Sequence, residues 1–295
     1  MNAEYLILST GVSFLVLAAV FYPLEKSHPA RPGQKIFRPE WFTDLLFMLG
    51  QYLLWSGLVL TFLLFVRDHL AVSIPGGFHA AVAAQPWWLQ AFEVMLLSDV
   101  TIYWGHRLQH KWDFLWRFHA VHHTAEHLDW LAAHREHPLD GLYTQTLINL
   151  PAFLLGFPLE TLAGLAAFRG LWAIYIHSNV RLPLPKPLRW LLGAPELHHW
   201  HHAKVRSSSN FANLSPLMDL AFGTYHCPNH EPPELGVEEP FPRSYWGQLL
   251  YPFQRRKIAE IAPLTVSAKN LLPVIESPAA DRKPQVQENV EIRPS

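Results

Sequence analysis

Cysteine is almost absent from this sequence, with Cys227 as the one copy among 295 residues. A single thiol excludes an internal disulfide and a cage of thiolate ligands around a metal. An excess of charge of one sign is also missing, because 23 Lys and Arg residues are balanced by 24 Asp and Glu residues. A formal net charge of −1 gives no reason to expect nucleic acid as a partner. A metal site in this chain would therefore use nitrogen or oxygen ligands.

Half of the residues are hydrophobic, and they are concentrated in long runs. Runs at Glu4–Tyr22, Trp41–Val66 and Trp87–Gly105 are long enough to cross a bilayer as helices. Because no Lys or Arg precedes the first run, we interpret it as a retained span and not as a signal peptide. The runs Leu139–Phe157 and Leu159–His177 are separated by a proline, which predicts a hairpin of two spans or a re-entrant pair.

The charge of the loops predicts how these spans are oriented. Residues 23–40 contain four cations, whereas residues 67–86 contain only Arg67. The positive-inside rule therefore places the first loop in the cytoplasm and the N-terminus outside. Three spans then deliver the chain to the cytoplasmic face at His106, and the hairpin returns to that face at His177. The four cations are Lys26, Arg31, Lys35 and Arg38.

Histidine is over-represented, with 18 copies, and many of them are grouped at helical spacing. His106 and His110 form an HxxxH motif, and positions i and i+4 share one face of a helix. Two tridents of the form HxxHH follow, whose offsets of three and four again share a face. The tridents are His119, His122, His123 and His198, His201, His202. Since neutral imidazole binds metal, these clusters predict a dinuclear site in which each trident serves two neighbouring ions.

The residue types alone leave several functions open. Imidazole suits iron, zinc and copper, so the ligands do not choose the metal. A non-catalytic metal-binding or transport protein would place its ligands within the spans, whereas these clusters lie outside the predicted spans. A zinc-dependent hydrolase would need an open position and a nearby carboxylate base. A redox enzyme is the third class.

The order HxxxH, HxxHH, HxxHH among membrane spans resembles the fatty acid hydroxylase/sterol desaturase superfamily. Three further segments are similar to that superfamily: "AHREHPLDG" from Ala133, "IHSNV" from Ile176 and "NFANLSPLMDLAFGTYHCP" from Asn210. The resemblance runs from roughly residue 87 to residue 228. Ala212 and Met218 depart from it, because they stand where the family usually has Gly and Trp.

Members of this superfamily are integral-membrane, non-haem di-iron enzymes that use O2 and two electrons to hydroxylate or desaturate lipid C–H bonds. The resemblance implies two iron ions as cofactors, O2 as co-substrate and a membrane lipid or sterol as substrate. The sequence contains no haem, flavin or Fe–S motif, so the electrons are expected from an external donor, which is a reductase, a ferredoxin or a b5-type protein. Hydroxylation is slightly favoured over desaturation, because oxygen rebound is the simpler fate after hydrogen abstraction.

The resemblance also implies which residues bind the iron ions. The expected ligands are His106, His110, His119, His122, His123, His177, His198, His201 and His202. His137, Asn179 and Asp219 are expected as further ligands or as residues that orient the ligands. Glu126 and Glu136 are close enough in sequence to accept the second N–H of a ligand ring.

Together these features predict an all-α protein: a multi-pass transmembrane helical bundle with a cytoplasmic-face helical cap that carries the His-rich dimetal site. We expect transmembrane spans and loops over residues 1–86 and a catalytic domain over residues 87–262. Residues 263–295 are rich in Pro, Glu, Lys and Gln, which predicts a disordered tail. The compact chain without a fused electron-transfer domain indicates a bacterial inner membrane as its location.

Overall fold

The computed structural model describes residues 3–70, 75–182, 185–206 and 208–254. Within these ranges the chain is helical, with isolated bridges from Pro29 to Val180 and from Ala203 to Leu235 and no strand. The described residues belong to one compact unit that ends at Gln254. The prediction of an all-α fold is confirmed. The predicted tail over 263–295 lies outside the described residues.

All but one of the described α-helices up to residue 177 have at least ten residues, and those after it have at most seven. In chain order they are α1 (Ala3–Ser27), α2 (Trp41–Gly50), α3 (Ser56–Leu70), α4 (Gly76–Ala83), α5 (Trp87–Lys111), α6 (Asp113–His123), α7 (Pro138–Leu155), α8 (Leu159–His177), α9 (Lys186–Leu191), α10 (Pro195–His201), α11 (Leu217–Ala221) and α12 (Tyr245–Leu250). A π-turn over Gln51–Trp55 joins α2 to α3 without a break. Turns of 3-10 helix lie at Ala132–His134 and Tyr251–Phe253.

Three of the described helices are long and apolar enough to cross a membrane. They are α1, the continuous helix Trp41–His69, and α8. Large apolar side chains remain exposed on these helices, among them Leu15 at 66% and Leu58 at 62%. Large apolar side chains exposed in this number along whole helices are unusual where a protein faces water, and lipid accommodates them. The protein is therefore a multi-pass membrane protein.

Two of the predicted spans are helical but are not among these three. α5 contains the predicted span Trp87–Gly105, and α7 contains most of the predicted span Leu139–Phe157. Both helices bury polar side chains, such as Asp99 on α5 and Asp140 on α7, and they pack along each other. Polar groups are costly in lipid, so these two helices are better suited to the interior of the bundle. By length and composition, the five predicted spans are reduced to three.

α7 and α8 form a hairpin at the predicted position. α7 ends before Gly156, which has a φ of 83° that only glycine adopts readily, and Pro158 is the N-cap of α8. A side chain at position 156 would also approach the His79 ring to 2.6 Å. The reversal returns the chain to the end of the bundle where α5 and α6 carry their histidines.

A buried ion network connects the start of α2 to the loop that follows α6. Arg38 is paired with Asp44 at 2.7 Å and with Asp129 at 2.6 Å. Arg135 is paired with Asp44 at 2.5 Å and with Glu40 at 2.6 Å. These charges are nearly inaccessible to solvent, so each of them depends on its partners. Arg38, one of the four cations that predicted the orientation, is thus compensated inside the fold.

Two clusters of buried apolar side chains hold the long helices together. The first cluster joins α3, α5, α7 and α8 through Leu63, Val94, Phe153 and Leu162. The second cluster joins α1, α2 and α8 through Leu17, Phe21, Met48 and Ile174. Between membrane helices such contacts stabilise the bundle through van der Waals packing, because lipid tails are as apolar as the buried side chains. α8 takes part in both clusters, which fixes the position of its last residue, His177.

Candidate metal centre

Nine histidines converge at one end of the bundle, although they come from four separate helices. The HxxxH pair lies near the end of α5 and the first trident at the end of α6. His177 is the last residue of α8, and the second trident ends α10. These nine are the histidines that the sequence predicts as ligands, and the fold brings all of them together.

The nine rings form two sets, and within each set one nitrogen of every ring lies within 4.8 Å of the others. The five-ring set contains His106, His110, His119, His123 and His201. The four-ring set contains His122, His177, His198 and His202. Each HxxHH trident is therefore divided between the two sets, because its members lie on both sides of the helix face that they share.

In both sets the rings point their Nε2 atoms at one another. In the four-ring set, Nε2 of His177 lies 3.0 Å from Nε2 of His122 and 2.8 Å from Nε2 of His198. In the five-ring set, Nε2 of His119 lies 3.0 Å from Nε2 of His106. Nitrogens from different helices thus meet at one point in each set.

Four of these rings are held from behind by a backbone carbonyl that accepts a hydrogen bond from Nδ1. The pairs are His106 with Phe211 at 2.7 Å, His122 with Arg135 at 3.0 Å, His177 with Ala173 at 2.6 Å and His201 with Ser209 at 2.9 Å. A carbonyl oxygen can only accept, so Nδ1 carries the proton and Nε2 keeps its lone pair. Rings that bind a metal are oriented in the same way.

The donor set fits metal ions. In the pair of His122 and His177, both Nδ1 atoms are bonded to carbonyls, so two Nε2 lone pairs face each other at 3.0 Å. This contact is repulsive unless the two nitrogens share a cation. Both ring nitrogens of His110 and Nε2 of His201 are also buried without a hydrogen-bond partner among the described residues, which is costly for polar atoms. The centre is therefore a metal site.

Burial keeps the rings of this site neutral. It lowers the pKa of His119 to about 3, with a contribution from the positive charge of Arg206, and it lowers the pKa of His122 to about 4. Burial and the neighbouring rings also lower the pKa of His106 and of His123 well below the usual value. Each ring consequently offers a lone pair to a metal at pH 7.

Two of the three residues predicted as additional ligands or orienting groups lie away from both sets. His137 is the N-cap of α7, where its Nδ1 accepts a hydrogen bond from the backbone N–H of Leu139 at 3.1 Å. Oδ1 of Asn179 accepts from the backbone N–H of Arg31 at 2.8 Å. The structure thus gives both side chains a role in holding the backbone.

Asp219, the third of these residues, positions a histidine indirectly. Its carboxylate accepts hydrogen bonds from the backbone N–H groups of Phe211 at 2.8 Å and Ala212 at 2.9 Å, and from the hydroxyl of Thr224 at 2.7 Å. The carbonyl of Phe211 in turn accepts from Nδ1 of His106. Asp219 therefore fixes the loop that orients one ring of the five-ring set.

Asp140 orients a ring directly, and the sequence did not single it out. Its Oδ2 accepts from Nδ1 of His119 at 2.9 Å, and its Oδ1 accepts from the side-chain amide of Gln109 at 2.6 Å. The sequence feature that could have identified Asp140 is its position as a lone carboxylate in the first turn of a largely apolar helix. Glu126 and Glu136, which the sequence suggests for the same role, accept no hydrogen bond from a ring among the described residues.

A cavity of about 610 Å³ extends from the centre into the bundle. Rings of both sets form one part of its wall, namely His106, His119, His122, His177 and His198. The remaining wall comes mainly from α1, the π-turn, α7 and α8, and includes Leu17, Tyr52, Ile148 and Trp172. A lipid chain in this cavity would lie directly against the metal site.

The opposite side of the five-ring set is covered. Trp116 is 3% exposed, and its ring centroid lies 5.0 Å from that of His110 and 5.3 Å from that of His123. The guanidinium of Arg206 lies 4.5 Å from the centroid of Trp116 and is paired with Asp113 at 2.9 Å. This cover separates the five-ring set from solvent.

Comparisons with known proteins agree with this geometry. Residues 91–224 match the family model described as fatty acid hydroxylase. The ornithine lipid hydroxylase of Rhizobium tropici is 30% identical over 279 residues, which cover 88% of this chain and 77% of that protein. Human alkylglycerol monooxygenase is 32% identical over 149 residues, which cover 50% of this chain and 32% of that protein.

A Delta(7)-sterol 5(6)-desaturase of Gibberella zeae is 32% identical over 136 residues, which cover 45% of this chain and 37% of that protein. No solved structure gives a significant match to the chain. The relatives are lipid hydroxylases, monooxygenases and sterol desaturases, and the match to the first of them extends over most of both chains. This protein belongs to the fatty acid hydroxylase family and is a membrane-bound oxidoreductase that hydroxylates or desaturates a lipid.

Proposed function

We propose that this protein is an O2-dependent lipid hydroxylase in which each of the two histidine sets holds one iron ion. The observation that carries the proposal is the pair of imidazole-only sets at the end of a cavity between membrane helices. Iron bound there supplies the activation of O2 that attack on an unactivated C–H bond requires. The similarity to an ornithine lipid hydroxylase and to alkylglycerol monooxygenase supports the same chemistry.

The chain itself positions the reactants. The nine histidines hold the ions, and the backbone carbonyls behind four of the rings keep each Nε2 aimed at its set. Asp140 and Asp219 fix two rings of the five-ring set. Trp116 and Arg206 exclude water from the covered side, while the cavity holds the lipid chain against the centre.

We assign the reaction to a catalytic domain over residues 87–262, with the spans of residues 1–86 as membrane anchor. α1 and the π-turn also contribute to the cavity wall, so the anchor helps to shape the substrate space. The electrons come from a separate reductase, ferredoxin or b5-type protein. The cationic loop of residues 23–40 is bonded to the segment that follows His177, where the backbone N–H of Arg181 donates to the carbonyl of His28 at 2.8 Å. This contact, the positive-inside rule and a bacterial relative support a bacterial inner membrane with the centre on the cytoplasmic face.

Desaturation is the second candidate, because a sterol desaturase is among the relatives. A zinc-dependent hydrolase is less well supported, because the relatives are named as a lipid hydroxylase, a monooxygenase and a sterol desaturase. A transport protein is also less well supported, because the sets lie at helix ends and not within the apolar spans.

Labelling with 18O2 tests the proposal. Iron-loaded protein, a competent reductase and a lipid extract are incubated under 18O2, and the lipids are analysed by mass spectrometry. We expect a lipid that carries 18O, which the variant His122→Ala does not form. A product two hydrogens lighter and without label would establish desaturation, and a product that forms equally well without O2 would contradict both reactions.

A further inference from the structure

Trp116 connects the five-ring set to a side chain that reaches the protein surface. The centroid of its indole lies 5.0 Å from that of His110 and 5.3 Å from that of His123. The same indole contacts Arg206, whose guanidinium lies 4.5 Å from its centroid. The side chain of Arg206 is 31% exposed. A group at the surface beside Arg206 is therefore separated from two rings of the set by one guanidinium and one indole.

Packing alone does not account for an indole at this position. Nε1 of Trp116 is buried without a hydrogen-bond partner among the described residues. A buried N–H that finds no acceptor is costly, and an apolar side chain would cover the rings without that cost. The choice of tryptophan thus points to a role for its aromatic ring, which lies against two imidazoles.

The reaction needs a conductor at this point, because its electrons come from another protein. Tunnelling weakens exponentially as the gap between donor and acceptor widens, and aromatic rings in contact bridge a gap better than saturated chains do. The cavity of about 610 Å³ is far too small for a carrier protein. An electron from such a carrier therefore has to cross the protein cover of the metal centre.

The charge on this cover favours an electron on the metal side. Burial, and after it the positive charge of Arg206, lower the pKa of His119 to about 3, so the field of Arg206 reaches the five-ring set. A positive charge near a metal ion stabilises its reduced form, because reduction removes one positive charge from the ion. The opposite charge of Asp113, which pairs with Arg206, is 78% exposed and is screened by solvent.

We infer that electrons enter the metal centre through Trp116, and that Arg206 raises the reduction potential of the ion in the five-ring set. The inference rests on the proposed function, because it concerns the reduction of the iron that this function requires. In each transfer a one-electron carrier protein is oxidised and one ferric ion becomes ferrous, while no bond forms or breaks at Trp116. Two transfers supply the two electrons of one turnover.

The test is flash-induced reduction of iron-loaded protein under nitrogen, without lipid. A ruthenium photosensitiser is attached to Val205→Cys, beside Arg206, or to Glu126→Cys, in protein that also carries Cys227→Ser. The two positions are matched, because each is exposed and lies three residues after the last histidine of a trident. A sacrificial reductant regenerates the sensitiser, and the decay of the ferric absorption gives the rate of reduction.

We expect reduction from position 205 to be several-fold faster than reduction from position 126. Trp116→Leu should slow the first rate several-fold and leave the second unchanged, and Trp116→Phe, which keeps an aromatic ring, should restore part of the loss. A side chain that only excludes water would not produce this selectivity. Metal analysis and thermal unfolding show that each variant is loaded and folded, and Trp116→Phe carries the test if Trp116→Leu does not fold.

Arg206→Gln tests the effect of the charge. Redox titration under nitrogen should give a lower reduction potential for the ion of the five-ring set, and Arg206→Lys should restore it. Arg107→Gln is the matched control, because the guanidinium of Arg107 lies 5.5 Å from the ring of Trp104, which is 46% exposed and packs against Phe222. This control should change the potential less.

Equal rates from the two positions, or an unchanged rate from position 205 in Trp116→Leu, would overturn the inference. An unchanged potential in Arg206→Gln would overturn the role of that side chain. A centre that is reduced through Trp116 but forms no 18O product would contradict only the proposed oxygenation, whereas labelled product with equal rates would contradict only the route. Protein that shows no ferric signal after loading would refute the iron centre on which both depend.

Discussion

Three rings of the four-ring set line the large cavity, whereas only two rings of the five-ring set do so. The five-ring set lies instead beneath Trp116 and Arg206. A metal with fewer protein ligands beside a cavity keeps positions for small molecules, and a metal with five imidazoles under an aromatic cover is more enclosed. This difference indicates that substrate approaches the four-ring set, whereas the five-ring set is enclosed by protein.

The two sets also differ in what supports them. Loop carbonyls of Phe211 and Ser209, together with Asp140, hold rings of the five-ring set. In the four-ring set, His122 is held by the carbonyl of Arg135, which the buried ion network fixes. A substitution in the residues that hold one set should therefore weaken metal binding in that set more than in the other.

Loss of a ring from the smaller set should have the largest effect. We expect His122→Ala to lower the metal content towards one ion per chain and activity by about 100-fold or more, because even outer partners of metal ligands are worth 10–100-fold. His110→Ala leaves four rings in its set and should lose less metal. Metal analysis of both variants is the measurement. Equal losses would contradict the distinction between the sets, and full occupancy in a combined His122→Ala, His201→Ala variant would refute the ligand assignment.

The ion network should matter mainly for stability. Asp44→Asn removes the carboxylate that pairs with Arg38 and Arg135, both of which are buried. Breaking a buried pair typically costs about 3–5 kcal/mol, so we expect a clear decrease in Tm and a preferential loss of metal from the four-ring set. Thermal unfolding checks this expectation. Asp68→Asn, in an exposed pair with Arg67, is the control and should change Tm little.

Asp140→Ala should act on the other set. Without the acceptor for Nδ1 of His119, that ring loses its orientation, and we expect metal affinity to fall by about 10–100-fold. Competition with a chelator measures the affinity of each ion. Glu160→Ala, which removes an exposed acid from the first turn of α8, serves as the matched control. A loss confined to the four-ring set would show that the supports have been assigned to the wrong sets.

Acidification should destabilise the fold through buried histidines of both sets. Burial lowers the pKa of His119 to about 3 and of His122 and His134 to about 4, whereas an unfolded histidine titrates near 6.5. Between about pH 6.5 and pH 4 the unfolded chain therefore binds protons that the folded chain does not, so the free energy of unfolding decreases as pH falls. Tm of chelator-treated protein should decrease from pH 7 to pH 4.5. His134→Phe should reduce that slope, and a Tm that rises on acidification would contradict the burial of these rings.

The smallest effect on metal is expected for a histidine inside the second trident. His199 turns away from both sets, and its Nδ1 lies 2.7 Å from Glu231 while its Nε2 lies 3.1 Å from the carbonyl of Ser178. His199→Ala should retain both ions and lose about 1–3 kcal/mol of stability, because Glu231 loses its partner. Metal content and Tm are both measured, so that a loss of stability can be told apart from a loss of metal. A metal loss equal to that of His122→Ala would show that position within the trident does not matter.

The sequence by itself determined the features that depend on neighbours along one helix. Offsets of three and four residues place the members of each trident on one face, whatever the rest of the chain does. Apolar runs identified the three membrane helices, although they also suggested α5 and α7 as spans, and Pro158 marked the hairpin between α7 and α8. The resemblance to a known family then singled out His177, which has no helical partner of its own.

Only the tertiary structure decided which of these helices and side chains come together. It divided the tridents between two sets, placed Asp140 behind His119, and brought Trp116 into contact with Arg206 and with two rings of the five-ring set. It also showed that α5 and α7 bury their polar side chains inside the bundle, which their mixed apolar and polar composition did not reveal. The physical reason is that each of these features depends on a contact between residues far apart in the chain. The spacing of side chains along one helix shows which residues share a face, but not which other helix packs against that face.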